Sequence, residues 1–227
     1  MPRHRRAIVA LCVGLLICAP LAPAVAVADD ATSEPLADDA SPPVESAAAS
    51  AGGFSLQETD QEFDRTEFRI TVHDDGSATW QFRYERTLET DEDVEDFEAF
   101  AEEFNTEETE LFVNFRDRAA TLADDGSAAT DREMAATEFQ REATVAGLDD
   151  NLGVVRLSFR WDGFTAVDGD RIVVGDVFAG GLYISPDQRL VVERGDGIVF
   201  DEVQPDPDER ADEALTDSQS VTWFGER

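Results

Sequence analysis

The chain has 227 residues, of which 51 are acidic and 18 are basic, and its net charge is −33. All 18 basic residues are arginines, so no lysine offsets the carboxylates. A surface of that charge repels phosphate groups, and we therefore expect this chain to bind no nucleic acid.

The first 28 residues are predicted to be a secretory signal peptide. Arginines precede an apolar stretch, Pro20 interrupts that stretch, and Ala-Val-Ala ending at Ala28 provides a cleavage site. The pair Arg5-Arg6 also fits a twin-arginine signal, so export by the general secretory or the twin-arginine route stays open. The mature protein is expected to be extracytoplasmic, either secreted or on the outer face of the cell membrane.

Signal removal changes the composition in two ways. It takes away both cysteines, Cys12 and Cys18, which leaves no thiol for a disulfide or a thiolate-ligated metal. It also takes away three arginines and no acids, which moves the net charge from −33 to −36. Because so many like charges destabilise a compact state unless salt screens them, the composition predicts a halophilic, archaeal protein.

The remaining chain divides into three parts. Residues 29–62 are rich in Ala, Ser, Pro, Asp and Glu, and are predicted to be a disordered acidic spacer. Residues 63–205 contain the periodic apolar patterns and are predicted to be an α+β extracytoplasmic domain. Residues 206–227 are predicted to be an acidic linker followed by a terminal strand.

Strict alternation of apolar and polar residues predicts two antiparallel hairpins. The first pairs residues 68–72 with residues 80–84 through an Asp-Asp-Gly turn at residues 74–76. The second pairs residues 139–145 with residues 155–161, where Val155, Leu157, Phe159 and Trp161 occupy alternate positions.

Between the hairpins, helical spacing predicts two helices. Thr90 to Asp93 fits a capping box, and a second start signal lies at Thr106. Residues 123–130 repeat the Asp-Asp-Gly-Ser of the first hairpin turn and are predicted to be a loop. The predicted fold is therefore α+β, with antiparallel β-hairpins forming a sheet or sandwich and a two-helix insert packed on one face.

Candidate catalytic groups are few or uninformative. His73 is the one histidine outside the signal, and Ser77 is near it, but no nucleophile-elbow motif accompanies them. A glycosidase needs only two carboxyl groups beside the bond that it cleaves. With 51 acidic residues, however, so many pairs are possible that the sequence identifies no particular pair. The acidic turns at residues 168–170 and 206–208 lack the ligand spacing of a calcium loop. The sequence thus predicts no catalytic, cofactor-binding or metal-binding residue and no cofactor.

Glycine and aromatic residues in the second half form a structural signature. Its members are Trp161, Gly163, Phe164, Gly175, Asp176, Phe178, Gly180, Gly181, Tyr183, Trp223 and Gly225. This signature resembles a haloarchaeal extracytoplasmic domain of unknown function, over residues 63 to 227. In that family the domain follows a signal peptide and precedes a transmembrane helix and a cytoplasmic winged helix-turn-helix.

The resemblance implies a non-enzymatic, sensor-like or envelope-interaction domain of a membrane-associated regulator. Its partner would be an unknown extracellular ligand or an envelope protein, and a secreted carboxylate-dependent hydrolase is the alternative. The family pattern also implies membrane anchoring through a C-terminal helix that this chain lacks. The apolar segment Val221 to Phe224 either leads into such a missing part or adds an edge strand to the sheet.

Overall fold

The computed structural model describes residues 5–10, 63–148, 151–177 and 184–225. Within these ranges the protein has two helices and eleven strands in two sheets, which confirms the predicted α+β class. In chain order the elements are β1 (Arg5–Ala10), β2 (Arg65–Val72), β3 (Ala78–Thr87), α1 (Asp91–Thr106), α2 (Glu110–Thr130), β4 (Ala135–Ala146), β5 (Leu152–Asp162), β6 (Ala166–Asp168), β7 (Arg171–Val174), β8 (Gln188–Arg194), β9 (Ile198–Gln204), β10 (Glu209–Arg210) and β11 (Ser220–Phe224).

The larger sheet has seven strands in the order β10-β11-β8-β2-β3-β5-β4. Both predicted hairpins are present, since β2 pairs antiparallel with β3 and β4 pairs antiparallel with β5. The sheet is mixed, however, because β2 also pairs parallel with β8 over seven residues. The terminal strand β11 is not at the edge, because β8 and β10 both pair with it.

One face of this sheet is apolar and forms the core. Phe68 and Ile70 on β2, Trp80 and Phe82 on β3, and Phe159 on β5 are all buried there. Their aromatic rings stack or meet edge to face, as Phe68 and Phe82 do at 5.5 Å between ring centroids. Strand alternation places the intervening polar residues on the opposite face.

The helices pack on the apolar face at the β4 side of the sheet. Helix α1 begins with the predicted capping box, in which the Asp93 amide donates to Thr90 Oγ1 at 3.1 Å and the Thr90 amide donates to Asp93 Oδ2 at 3.0 Å. Its buried face presents Phe97, Ala101 and Phe104. The predicted helix start at Thr106 is wrong, because Thr106 is the last residue of α1 and Thr109 occupies the N-cap position of α2. No helix in the described ranges is long and apolar enough to cross a bilayer.

Helix α2 extends through residues 123–130, so the loop predicted there is wrong. Ala123 is buried, and Gly126 lies so close to Trp161 that a β-carbon at Gly126 would be 3.2 Å from the indole ring. The second Asp-Asp-Gly-Ser is therefore helical because packing against Trp161 outweighs the turn preference of its residues. The helix ends at Asp131, whose backbone is left-handed with φ of 55°.

The smaller sheet has four strands in the order β6-β7-β1-β9. Strand β1 lies in its middle and runs parallel to both neighbours. Its residues come from the segment predicted to be the signal peptide. The buried residues Ile172, Val174 and Phe200 of this sheet belong to the same core cluster as Phe68 and Phe159.

Candidate functional site

On the outer face of the larger sheet, a single row of aligned side chains crosses six strands. Cross-strand register aligns Phe224, Arg189, Glu67, Arg83, Arg156 and Glu142, on β11, β8, β2, β3, β5 and β4 respectively. Residues directly opposite each other on neighbouring strands point to the same side of a sheet. The row therefore forms one continuous surface.

Six of the 18 arginines of the chain lie on this polar face, which we call the arginine face. They are Arg65, Arg69, Arg83, Arg156, Arg160 and Arg189. Val154 and Val191 share the face and are nevertheless buried, as expected where long arginine side chains lie over apolar residues. Five of these arginines form ion pairs with neighbouring carboxylates, so this face has a nearly balanced charge on an otherwise strongly acidic protein.

Glu67 is the most buried ionisable group of the row, with a relative exposure of 7%. The Arg69 guanidinium donates to Glu67 Oε1 from Nη2 at 2.8 Å and from Nε at 3.1 Å, and Arg189 forms an ion pair with the other carboxylate oxygen. Burial alone would raise the pKa of Glu67, but the hydrogen bonds and charges of these two arginines lower it below its ordinary value. The lowered pKa favours the ionised form of Glu67, which pairs with and orients its two arginines.

A concave site of about 440 Å³ opens next to Glu67. Its polar lining contains three arginines and three acids, and Phe224 and Gly225 complete it; the charged residues are Arg65, Arg83, Arg189, Glu67, Glu85 and Asp187. Phe224 is 43% exposed and gives this mostly polar site an apolar wall. Pockets that bind small ligands have volumes of about 300 to 1,000 Å³ and combine apolar walls with a few polar groups.

Arg83 and Arg189 are both engaged within this site rather than free. Arg83 forms an ion pair with Glu85, two residues along the same strand, and Arg189 does so with Glu67. Arginine has five N–H donors and binds carboxylates in a planar, two-point geometry, so Arg83 can bind a carboxylate ligand while it keeps its ion pair with Glu85.

The sequence-predicted candidates His73 and Ser77 are near each other but do not form a catalytic pair. The ring nitrogen Nε2 of His73 lies 2.8 Å from Thr79 Oγ1, whereas Ser77 Oγ donates to Asp75 Oδ1 at 2.6 Å. This serine hydroxyl and the Ser77 amide, followed by Arg160, lower the pKa of Asp75 to about 2. An ionised Asp75 that accepts the Ser77 proton in a hydrogen bond closes a turn and activates no nucleophile.

Several signature residues are joined by Arg132, which the sequence did not single out. Its guanidinium donates to the carbonyl oxygens of Gly163 at 2.9 Å and Phe164 at 3.1 Å, and to both carboxylate oxygens of Asp176. Phe164 packs on Trp161 with ring centroids 5.2 Å apart. This part of the signature is therefore a structural corner of the fold.

The C-terminal signature residues also have structural contacts. Trp223 is buried and donates from Nε1 to the Pro205 carbonyl oxygen at 3.2 Å. Gly225 approaches Ser185 so closely that a β-carbon would overlap the Ser185 carbonyl oxygen. Phe178, Gly180, Gly181 and Tyr183 lie outside the described residues, and Gly175 adopts a positive φ of 112°.

No cluster of three or more histidine, cysteine or acidic side chains suited to a metal ion occurs in the described part of the chain.

A model of one protein family, described as a domain of unknown function, matches residues 69–198. The chain belongs to the DUF7345 family. No curated protein matches the chain. The DUF7345 match begins on β2 and ends at the first residue of β9, so it covers most of the arginine face and both helices.

Two glycines with similar backbone conformations allow a test of the structural corner around Arg132. Gly163 and Gly169 have φ of 71° and 64°, but only at Gly163 would a β-carbon overlap a backbone atom, the Glu133 carbonyl oxygen. Gly169→Ala should lower the free energy of unfolding by about 1 kcal/mol through backbone strain alone. Gly163→Ala should lower it by roughly 3 kcal/mol or more, because the clash adds to that strain.

Urea denaturation in molar NaCl would measure both glycine variants. Equal losses at Gly163 and Gly169 would mean that the corner around Glu133 relaxes freely, and that this part of the signature has no packing role.

Proposed function

We propose that this DUF7345 domain is a non-enzymatic extracytoplasmic domain of a haloarchaeal membrane-associated regulator, which recognises a ligand or envelope partner through the arginine face. The observation that carries the proposal is the concave site beside Glu67, where guanidinium groups and an exposed Phe224 ring meet. The ligand class that fits is a carboxylate that also carries an apolar group. The signal-peptide pattern and the acid excess support the extracytoplasmic, halophilic setting.

The planar guanidinium groups of this site suit a carboxylate ligand even in concentrated salt. In molar salt, interactions between exposed charges are largely screened beyond about 3 Å, but close, partly buried ion pairs are weakened much less. The arginines of this face are held in position by Glu67 and Glu85, so little conformational freedom remains to be lost on binding.

The alternative, a carboxylate-dependent hydrolase, receives less support from this site. A general acid in a glycosidase needs a carboxyl group with a raised pKa. The pKa of Glu67 is lowered instead, because the arginine partners outweigh its burial. Glu67 therefore suits positioning of the cationic groups better than proton donation.

A thermal-shift screen tests the proposal directly. The protein in molar NaCl would be screened against carboxylates with aromatic or aliphatic groups, acidic peptides, sugars and divalent ions. We expect carboxylates to raise the melting temperature, and we expect Arg189→Ala and Phe224→Ala each to reduce the affinity about tenfold. Arg116→Ala is the control, because Arg116 is an exposed arginine on α2, away from the arginine face.

Two outcomes would contradict the proposal. One is that no compound of the screen raises the melting temperature. The other is that Arg116→Ala weakens binding as much as Arg189→Ala does, since the ligand would then respond to net charge rather than to this site. Turnover of a sugar or peptide from the screen would favour the hydrolase.

A further inference from the structure

Strand β1 is held in the smaller sheet by hydrogen bonds along both of its edges. It pairs parallel with β7 from Arg6 to Val9 and with β9 from Arg5 to Ala10. Backbone bonds at its beginning run from the Arg5 amide to the Gly197 carbonyl at 2.8 Å and from the Arg6 amide to the Asp170 carbonyl at 2.7 Å. A strand held on both edges fills a slot between two others.

The inward side chains of β1 are part of the core. Ala7 is 1% exposed and Val9 is fully buried, and register places Val9 between Val174 on β7 and Val203 on β9. Removal of β1 would leave two unpaired strand edges facing each other across two strand spacings of about 4.8 Å each. It would also open the core at Val9. Unpaired edges of this kind readily accept another extended chain.

Cleavage of the signal peptide predicted for residues 1–28 would remove β1. We propose that the mature protein uses the vacated slot between β7 and β9 to bind an extended segment of a partner protein, which adds a parallel strand at the position of β1. This inference rests on the extracytoplasmic part of the proposed function. It concerns a surface separate from the arginine face, because β7 and β9 belong to the other sheet.

The contacts of β1 define the chemistry of the segment that fits. Its first two positions are basic: Arg5 Nη1 donates to the Asp74 carbonyl oxygen at 2.6 Å, and Arg6 lies 3.9 Å from the Asp201 carboxylate. Its third and fifth positions must be apolar, and the third is as small as Ala7. A basic pair followed by a small residue and a β-branched residue at alternate positions therefore matches the slot in charge and in shape.

The test begins with the protein as its producing cells export it. Mass spectrometry of the purified protein would locate its first residue, and a synthetic peptide of residues 3–11 would then be added in molar NaCl. We expect an N terminus beyond Ala10, peptide binding detected by fluorescence anisotropy, and a rise of several degrees in melting temperature.

Two altered peptides separate strand insertion from non-specific attraction between a basic peptide and an acidic protein. Val9→Asp places a charge in the core and should weaken binding about tenfold or more. Ala10→Asp makes an apolar-to-acidic change at the neighbouring, exposed position and should weaken binding far less. Equal affinities of the two altered peptides would overturn the proposal.

The remaining outcomes are also decisive. A retained Arg5–Ala10 segment would overturn both the signal-peptide prediction and the slot, because β1 would then fill the position in the same chain. An N terminus beyond Ala10 without peptide binding would overturn the slot alone and leave the extracytoplasmic proposal standing. A dimer that the peptide fails to dissociate would show that a second copy occupies the slot.

Discussion

Phe159→Ala and Trp161→Ala should each lower the free energy of unfolding by about 3 to 5 kcal/mol. Phe159 is fully buried and Trp161 almost so, and both belong to the aromatic core. The Phe159 ring lies within 6.1 Å of the rings of Trp80, Phe115 and Phe139, measured between centroids. Truncation would therefore lose transfer free energy and leave a cavity. Urea denaturation in molar NaCl is the suitable measurement, because guanidinium chloride would itself change the ionic strength.

The matched control for the core variants lies between them on the same strand. Arg160 points to the opposite face, where it forms ion pairs with Asp75 at 2.5 Å and with Asp162 at 2.9 Å. Arg160→Ala should cost about 1 kcal/mol, as expected for partly exposed ion pairs. Similar losses from all three variants would contradict the assignment of the two faces of β5.

Transfer from molar to millimolar NaCl should unfold the protein. At about 1 M salt the screening length is about 3 Å, whereas at about 0.01 M it is about 30 Å, so repulsion among the carboxylates then acts across the whole domain. Circular dichroism and melting temperature would be followed as the NaCl concentration is lowered. An unchanged spectrum and an unchanged melting temperature would refute the halophile prediction.

Variants of α1 can show whether repulsion between charges, rather than another effect of salt, causes the unfolding at low NaCl concentration. Glu95, Glu98 and Glu102 are exposed on this helix. Replacement of all three by glutamine should lower the salt concentration at which half of the protein is folded, because the repulsion decreases. Replacement of the same three by aspartate keeps the charge and should not lower that concentration.

Local sequence patterns predicted the parts of the fold that depend on neighbouring residues. Alternation from Val155 to Trp161 and the Asp-Gly turn at Gly76 identified both hairpins, and Thr90 and Asp93 identified the start of α1. The parallel pairing of β2 with β8 was not predicted, because a strand shows the same alternation whichever direction its partner runs. The end of α2 was missed because the contact of Gly126 with Trp161 joins residues distant in sequence.

The candidate site was predictable only in part. Arginines four residues apart on β2 and on β5 mark the solvent side of those strands, and this signal was available in the sequence. The alignment of Phe224 with Arg189 and Glu67 was not available, because it depends on the register between β11, β8 and β2. Arg132 was missed for a similar reason, since its partner Asp176 lies 44 residues away.

The order of strands in the larger sheet has a consequence for how the chain folds. Strand β2 lies between β3, its neighbour in sequence, and β8, which follows it by more than 100 residues. Such distant pairings raise the contact order, and proteins of high contact order fold slowly because a long loop must close first. While the ribosome is still making β8, one edge of β2 has no partner, and this edge is prone to aggregation in the incomplete chain. We therefore expect the nascent protein to depend on a chaperone until β8 has been synthesised.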